Sequence, residues 1–306
     1  LRTFSPEGIW PQDNEWGMHD YTREGAQGCT SFNEIIAKGY GEPQSAKEFA
    51  ELAQWVNYDG HRSLFESRSQ NRKGLLMWMS HSCWPSMVWQ TYDYYFEPTA
   101  AYFAIKKASE PLHIQWNPAT DEVEVVNYSA GTHKGLTAKV QVLNMDASVA
   151  WEKEATVDSN EDTTDKCIKL EFPENLSKVH FIKMTLTEDG KVVSDNFYHR
   201  SLEENNYQDL CQLAKVALQS ATTVDKNADG TWSAVSVIEN KTSTPALMIR
   251  LNVVDGKDDQ QILPVFYSDN YFSLLPGEKK EVRMSWRDED TRGNEGKVLI
   301  TGYNVE

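Results

Sequence analysis

Ala138-Lys-Val-Gln-Val-Leu-Asn144 largely alternates apolar with polar residues, which is the pattern of a β-strand with one buried face. Glu122-Val-Glu-Val-Val126 and His180-Phe-Ile-Lys-Met-Thr-Leu186 repeat this pattern, and turn residues separate the three runs. Short alternating strands at such spacing are typical of antiparallel sandwiches. The series predicts an immunoglobulin-like β-sandwich over residues 114–203.

A second series of alternating runs follows a polar junction at Glu203–Gln208. It predicts a second immunoglobulin-like β-sandwich over residues 204–306. The runs that carry this prediction are Thr231-Trp232, Met248–Val254, Lys280–Trp286 and Val298–Gly302.

Residues 1–113 have a different, α/β character. Residues 1–29 predict a long ordered loop, because Trp, Pro, Gly, Asp and Glu occur there without a sustained period. Ser45-Ala-Lys-Glu48 is a capping box, and apolar residues at helical spacing predict a helix of about 20 residues after it. Leu75-Leu-Met-Trp-Met79 predicts a short strand buried on both faces, as in a parallel sheet. A further helix is predicted over Thr99–Ser109, after Pro98.

Composition excludes several classes of protein. The 306 residues carry 30 Lys and Arg against 46 Asp and Glu, a net charge of -16, so a nucleic-acid partner is not expected. The sequence contains no run of about 18 apolar residues, so no membrane span is predicted. The four cysteines form no C-x-x-C pair, and we predict neither a metal site nor a cofactor. Leu1 opens without the pattern of a signal peptide, which suggests a processed or truncated chain.

Asp225-Lys-Asn-Ala-Asp-Gly230 matches the start of a calcium-binding loop. The twelfth position holds Ser236 rather than the bidentate Glu that such loops use. A hairpin turn explains the motif equally well, and both readings remain open from the sequence.

Tryptophan is concentrated near the start of the chain, where residues 1–110 hold six of the ten. Four of these lie in the predicted loops on either side of the long helix or after the apolar strand. Aromatic faces in such loops suit the C–H-rich faces of sugar rings. The alternative is that these large side chains fill a core, where Trp is commonly buried.

Five segments together resemble one known family. The run Leu76-Met-Trp-Met-Ser-His-Ser-Cys-Trp-Pro-Ser-Met-Val-Trp89 with Asp93-Tyr-Tyr-Phe-Glu-Pro98 and Lys106–His113 resembles the last strand and helix of the barrel in glycoside hydrolase family 2. The exo-β-glucosaminidase and β-mannosidase branch is the most similar. Ser194-Asp-Asn-Phe-Tyr-His199 and Leu275-Pro-Gly-Glu278 resemble parts of the sandwiches that follow. Residues 1–113 are therefore expected to be the C-terminal segment of a (β/α)₈ barrel.

The resemblance implies a retaining exo-β-glycosidase that hydrolyses terminal β-linked sugars of oligo- or polysaccharides. Such enzymes use a nucleophile and an acid/base carboxylate about 5 to 5.5 Å apart. In the family these follow the fourth and seventh strands, so both are expected upstream of Leu1, and this chain alone is expected to be inactive. Glu15 and the pair His19-Asp20 are the tempting substitutes, but Glu15 is expected to lie in a loop and is interpreted as loop or rim.

The resemblance also implies four substrate-binding residues. Trp84 matches a tryptophan that lines the family's sugar pocket. His81 and Ser82 occupy positions where the family often has Asn followed by Asn or Asp, so the identity of the sugar stays open. His19 and Asp20 are expected to border the pocket.

The expected partners are a carbohydrate substrate and either the N-terminal half of the parent enzyme or a second copy of this chain. The family's habit suggests a periplasmic or secreted location. The competing hypothesis is a carbohydrate-binding or scaffold module without catalytic chemistry.

Overall fold

The computed structural model of this chain describes residues 4–12, 14–19, 32–67, 74–87 and 90–306. The chain divides into two compact units, each of which contains one β-sandwich. The first unit comprises residues 1–58, 77–103 and 213–306, and the second comprises residues 59–76 and 104–212.

Four α-helices lie in the described part of the chain: α1 (Asn14–His19), α2 (Phe32–Tyr40), α3 (Ala46–Glu66) and α4 (Ala100–Ala108). Helix α3 has 21 residues, as its periodicity predicted. Its capping box is present in shifted form, because Ser45 Oγ accepts from the backbone N–H of Glu48 at 3.2 Å, while the Glu48 carboxylate accepts from Gln44 N at 2.7 Å. None of these helices has a stretch both long and apolar enough to cross a membrane.

The helical part of the first unit has its own apolar core. Trp16 of α1 packs edge-on against Phe49 of α3, with ring centroids 5.2 Å apart, and Ile36 of α2 is fully buried beside them. Helix α1 was not anticipated, since residues 1–29 had been predicted to be a loop. Helix α1 has only six residues, and aromatic contacts of Trp16 explain why it forms. Its aromatic partners are Phe4, Trp10 and Phe49.

The first sandwich, in the second unit, confirms the predicted alternation. Val140 and Val142 of β3 are fully buried, whereas Gln141 between them is not. All pairings are antiparallel, and the two sheets have the strand orders β1-β2-β5 and β4-β3-β6-β7. The strands are β1 (Leu112–Asn117), β2 (Glu122–Asn127), β3 (His133–Asn144), β4 (Val149–Ser159), β5 (Thr163–Lys169), β6 (Val179–Glu188) and β7 (Lys191–Ser201).

The second sandwich, in the first unit, is also antiparallel, with strand orders β12-β10-β14 and β11-β13-β9-β8. Asp225–Gly230 includes the turn between β8 and β9, where the Asp229 carboxylate accepts from both the backbone N–H and the hydroxyl of Thr231. This geometry supports the hairpin interpretation of the calcium-like motif. The strands are β8 (Gln219–Lys226), β9 (Thr231–Glu239), β10 (Ala246–Asp255), β11 (Phe266–Tyr267), β12 (Phe272–Leu274), β13 (Lys279–Arg287) and β14 (Gly296–Thr301).

The apolar segment Leu75–Met79 differs from its prediction. It forms no strand, Leu76 is fully exposed and Trp78 is 79% exposed, so burial on both faces was wrong for this chain. A strand of a parallel sheet needs hydrogen-bonded neighbours. Among the described residues before Leu112 only isolated bridges occur, and none of them involves this segment. The two sandwiches are thus confirmed, while the barrel remains a prediction.

Candidate functional site

The loop that follows Leu75–Met79 is built around one carbonyl group. The carbonyl oxygen of Ser80 accepts hydrogen bonds from the backbone N–H groups of Thr91 and Tyr92, both at 3.1 Å, and from the Thr91 hydroxyl at 2.9 Å. These bonds bring His81 alongside Tyr92 as an isolated parallel bridge. The position of His81 is therefore fixed by a segment ten residues further along the chain.

A tight turn at residues 93–97 places an aromatic ring against His81. The Asp93 carboxylate accepts from the backbone N–H groups of Tyr95 and Glu97, at 2.8 and 2.9 Å. Phe96 adopts a left-handed backbone conformation with φ of +65°, which a bulky residue keeps only when its surroundings hold it. Its ring stacks on the His81 imidazole at 4.8 Å, with the planes 18° apart.

Two adjacent polar atoms of this loop have no hydrogen-bond partner among the described residues. They are Nε2 of His81 and Oγ of Ser82, and both atoms are buried. An unsatisfied buried donor or acceptor costs about 1–3 kcal/mol, so such atoms need an explanation in a native structure.

A second aromatic group lies three residues beyond His81. The Trp84 ring stacks on His19 at 5.2 Å with the planes 26° apart, and Phe4 covers His19 at 4.8 Å. The carbonyl of His19 accepts from the backbone N–H of Met87 at 2.7 Å. Trp84 keeps 44% of its surface exposed, so part of the side chain remains accessible.

The structure thus brings together two of the four predicted site residues, His19 and Trp84. His81 has Phe96 and Tyr92 as its described contacts instead. Asp20 lies outside the described residues. The roles of all four residues as sugar ligands remain predictions.

Glu15 has a structural role in this geometry. Its two carboxylate oxygens accept from the backbone N–H and the hydroxyl of Ser5, at 2.8 and 2.6 Å. The carboxylate therefore holds the loop before α1. Glu15 itself lies in α1, so its predicted position in a loop was wrong.

The second unit contains a buried polar network that the sequence did not predict. Oε1 of Glu66, at the end of α3, contacts His113 Nε2 at 3.1 Å and accepts from Tyr198 OH and Asn196 Nδ2 at 2.9 and 2.8 Å. The other ring nitrogen of His113 lies 3.2 Å from the Glu110 carboxylate. All but Glu110 are buried.

The charges of this network support each other. Burial acts to lower the pKa of His113, but the hydrogen bonds and charges of Glu110 and Glu66 outweigh burial and raise it. Burial likewise acts to raise the pKa of Glu110, and the hydrogen bond of His113 and the charge of Lys107 reverse this and lower it. Both ring nitrogens of His113 face a carboxylate, an arrangement that favours the charged imidazole. Its burial leaves no room for a substrate, so the network stabilises the fold.

A Ser–His–Glu arrangement in the first sandwich resembles a catalytic triad by its distances. Ser129 Oγ lies 2.8 Å from His133 Nε2, and His133 Nδ1 lies 2.7 Å from Glu188 Oε1. However, the Ser129 hydroxyl also lies 2.6 Å from Asn127 Oδ1, and the turn at Asn240–Thr242 repeats this Asn–hydroxyl bond without any histidine. The hydroxyl proton is thus directed to the amide, and the imidazole cannot act as its base.

Comparison with known proteins identifies both sandwiches. An exo-β-D-glucosaminidase Ig-fold domain model matches residues 196–305, and a mannosidase Ig/CBM-like domain model matches residues 121–201. The exo-β-D-glucosaminidase of Streptomyces avermitilis is 31% identical and covers 90% of this chain and 34% of its own length. The enzyme of the same description from Amycolatopsis orientalis is also 31% identical, with coverages of 97% and 32%. The chain spans about a third of the length of these relatives.

Solved structures extend the similarity beyond the sandwiches. The crystal structure of the exo-chitosanase CsxA from Amycolatopsis orientalis matches with a TM-score of 0.91 and 28% identity, over 99% of this chain and 40% of that chain. A β-D-mannosidase from Dictyoglomus thermophilum shares the fold, with a TM-score of 0.77 at 19% identity over 99% of this chain and 35% of its own. These matches therefore include most of residues 1–113.

Proposed function

Because this chain matches the C-terminal part of the exo-β-glucosaminidases and β-mannosidases of glycoside hydrolase family 2, we propose that it is the corresponding part of a retaining exo-β-glycosidase. The enzyme would hydrolyse terminal β-linked sugars of oligo- or polysaccharides. This chain would contribute one wall of the sugar pocket together with two structural sandwiches.

The observation that carries the pocket assignment is the half-exposed Trp84 ring, held by its stack on His19. A rigid aromatic face of this kind can pack on the C–H groups of a pyranose. The unpartnered atoms of His81 and Ser82 lie in the same loop. Because both atoms are buried in the unbound chain, a sugar hydroxyl or amine would reach them only if the loop rearranges on binding, and Asp20 is proposed to border the same site.

The two catalytic carboxylates are proposed to lie on the parent enzyme outside this chain. Retention needs a nucleophile and an acid/base about 5 to 5.5 Å apart. Among the described residues, three acids of this region are engaged otherwise, since Glu15 holds Ser5, Asp93 holds its turn and Glu97 binds Arg250. These engagements favour a supporting role for the chain.

The proposed macromolecular partner is the N-terminal half of the parent barrel. Met77, Trp78 and Met79 are exposed and form no strand. Exposed apolar patches usually mark interfaces. Neighbouring barrel strands would cover these side chains and complete the hydrogen bonding of the segment, and self-association is the alternative way to cover them.

The proposed substrate class is the β-D-glucosaminides, because relatives of that name reach 31% identity over at least 90% of the chain, whereas the mannosidases that match at least 72% of it are 25% identical. The net charge of -16 also suits a cationic amino sugar better than an anionic one. The proposed location is periplasmic or extracellular.

The test uses the full-length protein that carries this chain. We expect hydrolysis of p-nitrophenyl β-D-glucosaminide with a higher kcat/KM than for the β-mannoside. Trp84→Ala should raise KM, whereas Trp232→Ala, in the second sandwich, should leave it unchanged. A full-length protein that cleaves neither substrate would overturn the proposal.

A second candidate function is a carbohydrate-binding module, which the CBM-like description of residues 121–201 favours. Residues 1–306 that bind chitosan oligosaccharides, within a parent that lacks hydrolase activity, would establish this alternative.

A further inference from the structure

The side chain of Arg250, on strand β10, leaves the second sandwich and reaches the loop of the proposed sugar site. Ile249 and Leu251 on either side of it are fully buried in the sandwich core, so Arg250 points to the opposite face. Strand β10 is central in its sheet, between β12 and β14. Arg250 itself pairs with Thr301 of β14, and its neighbour Ile249 pairs with Phe272 of β12.

The guanidinium of Arg250 is paired with Glu97. Nη2 of Arg250 donates to Oε1 of Glu97, and only 29% and 19% of the two side chains are exposed. The Tyr271 ring lies under the guanidinium, with its centroid 5.8 Å from Cζ. Phe103 of α4 packs against the same Tyr271 ring at 5.9 Å. The pair thus lies in a largely apolar surrounding, where a charge interaction is stronger than at the surface.

Glu97 is the last residue of the turn that presents Phe96. Its backbone N–H donates to the Asp93 carboxylate, and its carbonyl accepts from Asp93 N at 3.0 Å. Phe96, immediately before it, is held at φ of +65° and stacks on His81. Contacts therefore run without a break from Arg250 through Glu97 and Phe96 to the imidazole of His81.

We propose that Arg250 is a positioning residue of the sugar site, which acts through Glu97 to hold Phe96 against His81. The second sandwich then has a role in substrate binding through one ion pair, and its residues Arg250 and Glu97 lie 153 positions apart in the sequence. The inference rests on the proposed function for its kinetic consequence, but its structural core, the coupling of Arg250 to His81, does not.

The first measurement tests this coupling independently of activity. Diethyl pyrocarbonate modifies accessible imidazole nitrogen, and the buried Nε2 of His81 should react slowly in the native full-length protein. Peptide mass spectrometry measures the modification rate at His81. In the variants Arg250→Lys and Glu97→Gln we expect this rate to rise on the order of tenfold, which corresponds to a free-energy change of about 1.4 kcal/mol. Arg283→Lys, at an exposed ion pair of the same sandwich, is the matched control and should leave the rate unchanged.

The second measurement tests how the coupling affects substrate binding. With p-nitrophenyl β-D-glucosaminide, the same two variants should raise KM on the order of tenfold while kcat changes little, because a ground-state binding group is misplaced. A purely structural role would instead lower the amount of active enzyme at unchanged KM.

Loss of one partner leaves a buried charge, so a single variant can fail to fold. Arg250→Met combined with Glu97→Gln removes both charges and keeps the volumes, and it should reproduce the faster modification and the raised KM in a stable protein. An unchanged modification rate at His81 in this double variant would overturn the inference. A faster rate with unchanged KM would support the coupling and overturn the proposed sugar site at His81.

Discussion

Replacement of His113 by Gln should destabilise the second unit by about 3 kcal/mol, which is the lower end of the range for breaking a buried ion pair. The lower end applies because neither carboxylate is left alone. Glu66 keeps the hydrogen bonds of Asn196 and Tyr198, and Glu110 keeps its 2.7 Å ion pair with Lys107. For a unit of this size we expect a fall in melting temperature of roughly 10–15 °C.

The substitution should also remove a pH dependence with a definite sign. The pKa of His113 in the folded protein lies above its unfolded value of about 6.5. Its contribution to stability is therefore fully present below about pH 6.5 and is lost as the pH rises through the raised folded pKa. Glu110, whose pKa is lowered, adds stability that is lost only at lower pH, as the pH falls through its folded pKa.

Two other histidines of the same unit work against His113. Burial lowers the pKa values of His180 and His199, so their contributions are lost as the pH falls below about 6.5. The change of the wild-type protein's stability with pH is thus the sum of opposite effects. The difference between wild type and His113→Gln isolates the contribution of His113.

The assay is urea unfolding at about pH 6 and about pH 8.5, on either side of the unfolded histidine pKa, with hydrogen exchange of β1 and β7 peptides to assign the transition. The destabilisation by His113→Gln should be larger at the lower pH. His133→Gln is the matched control, because its pair with Glu188 is 22% and 32% exposed and should contribute less than about 1 kcal/mol. An equal destabilisation by His113→Gln at both pH values would show that folding does not raise the pKa of His113.

Three further outcomes are expected. Residues 1–306 without the rest of the parent should show no turnover of p-nitrophenyl β-D-glucosaminide, and measurable activity that Glu15→Gln abolishes would overturn the supporting role. Because Met77, Trp78 and Met79 are exposed, light scattering should show that the same chain associates unless the proposed N-terminal barrel half is co-expressed. A stable monomer with one cooperative unfolding transition would refute this expectation. Asn127→Ala should cost about 2 kcal/mol in urea unfolding, because its buried amide donates to two carbonyls, whereas the exposed Asn175→Ala should stay within about 0.5 kcal/mol.

The sandwiches were predictable because local pattern and tertiary structure agree in them. In β3 one face lies in a core, as the burial of Ala138, Val140 and Val142 shows, and the residues between them are less buried. Helix α3 was predictable for the same reason, from its capping box and apolar spacing. Helix α1 was missed because its six residues carry no helical period, and tertiary contacts of Trp16 stabilise it.

The segment Leu75–Met79 shows where pattern alone is insufficient. Its composition is that of a buried strand, yet burial depends on neighbours, and no β-bridge between described residues includes it. The same holds for the proposed site. Trp84 and His81 could be named from a resemblance, but the stacking partners His19 and Phe96 follow from backbone turns that no local motif specifies.

The buried network around His113 was missed for a different reason, since Glu66 and Asn196 lie 130 residues apart. A local signal nevertheless existed. In β7 the residues Ser194, Asn196 and Tyr198 share one face by the two-residue period, and in a half-buried strand either that face or the opposite one must lie inside. Because both faces of β7 contain polar residues, the inward face had to carry polar groups into the protein, and buried polar groups require partners. When the inward face of a strand is polar, a charged or amide partner is expected on the element that covers this face. In this chain the partners are Glu66 and His113.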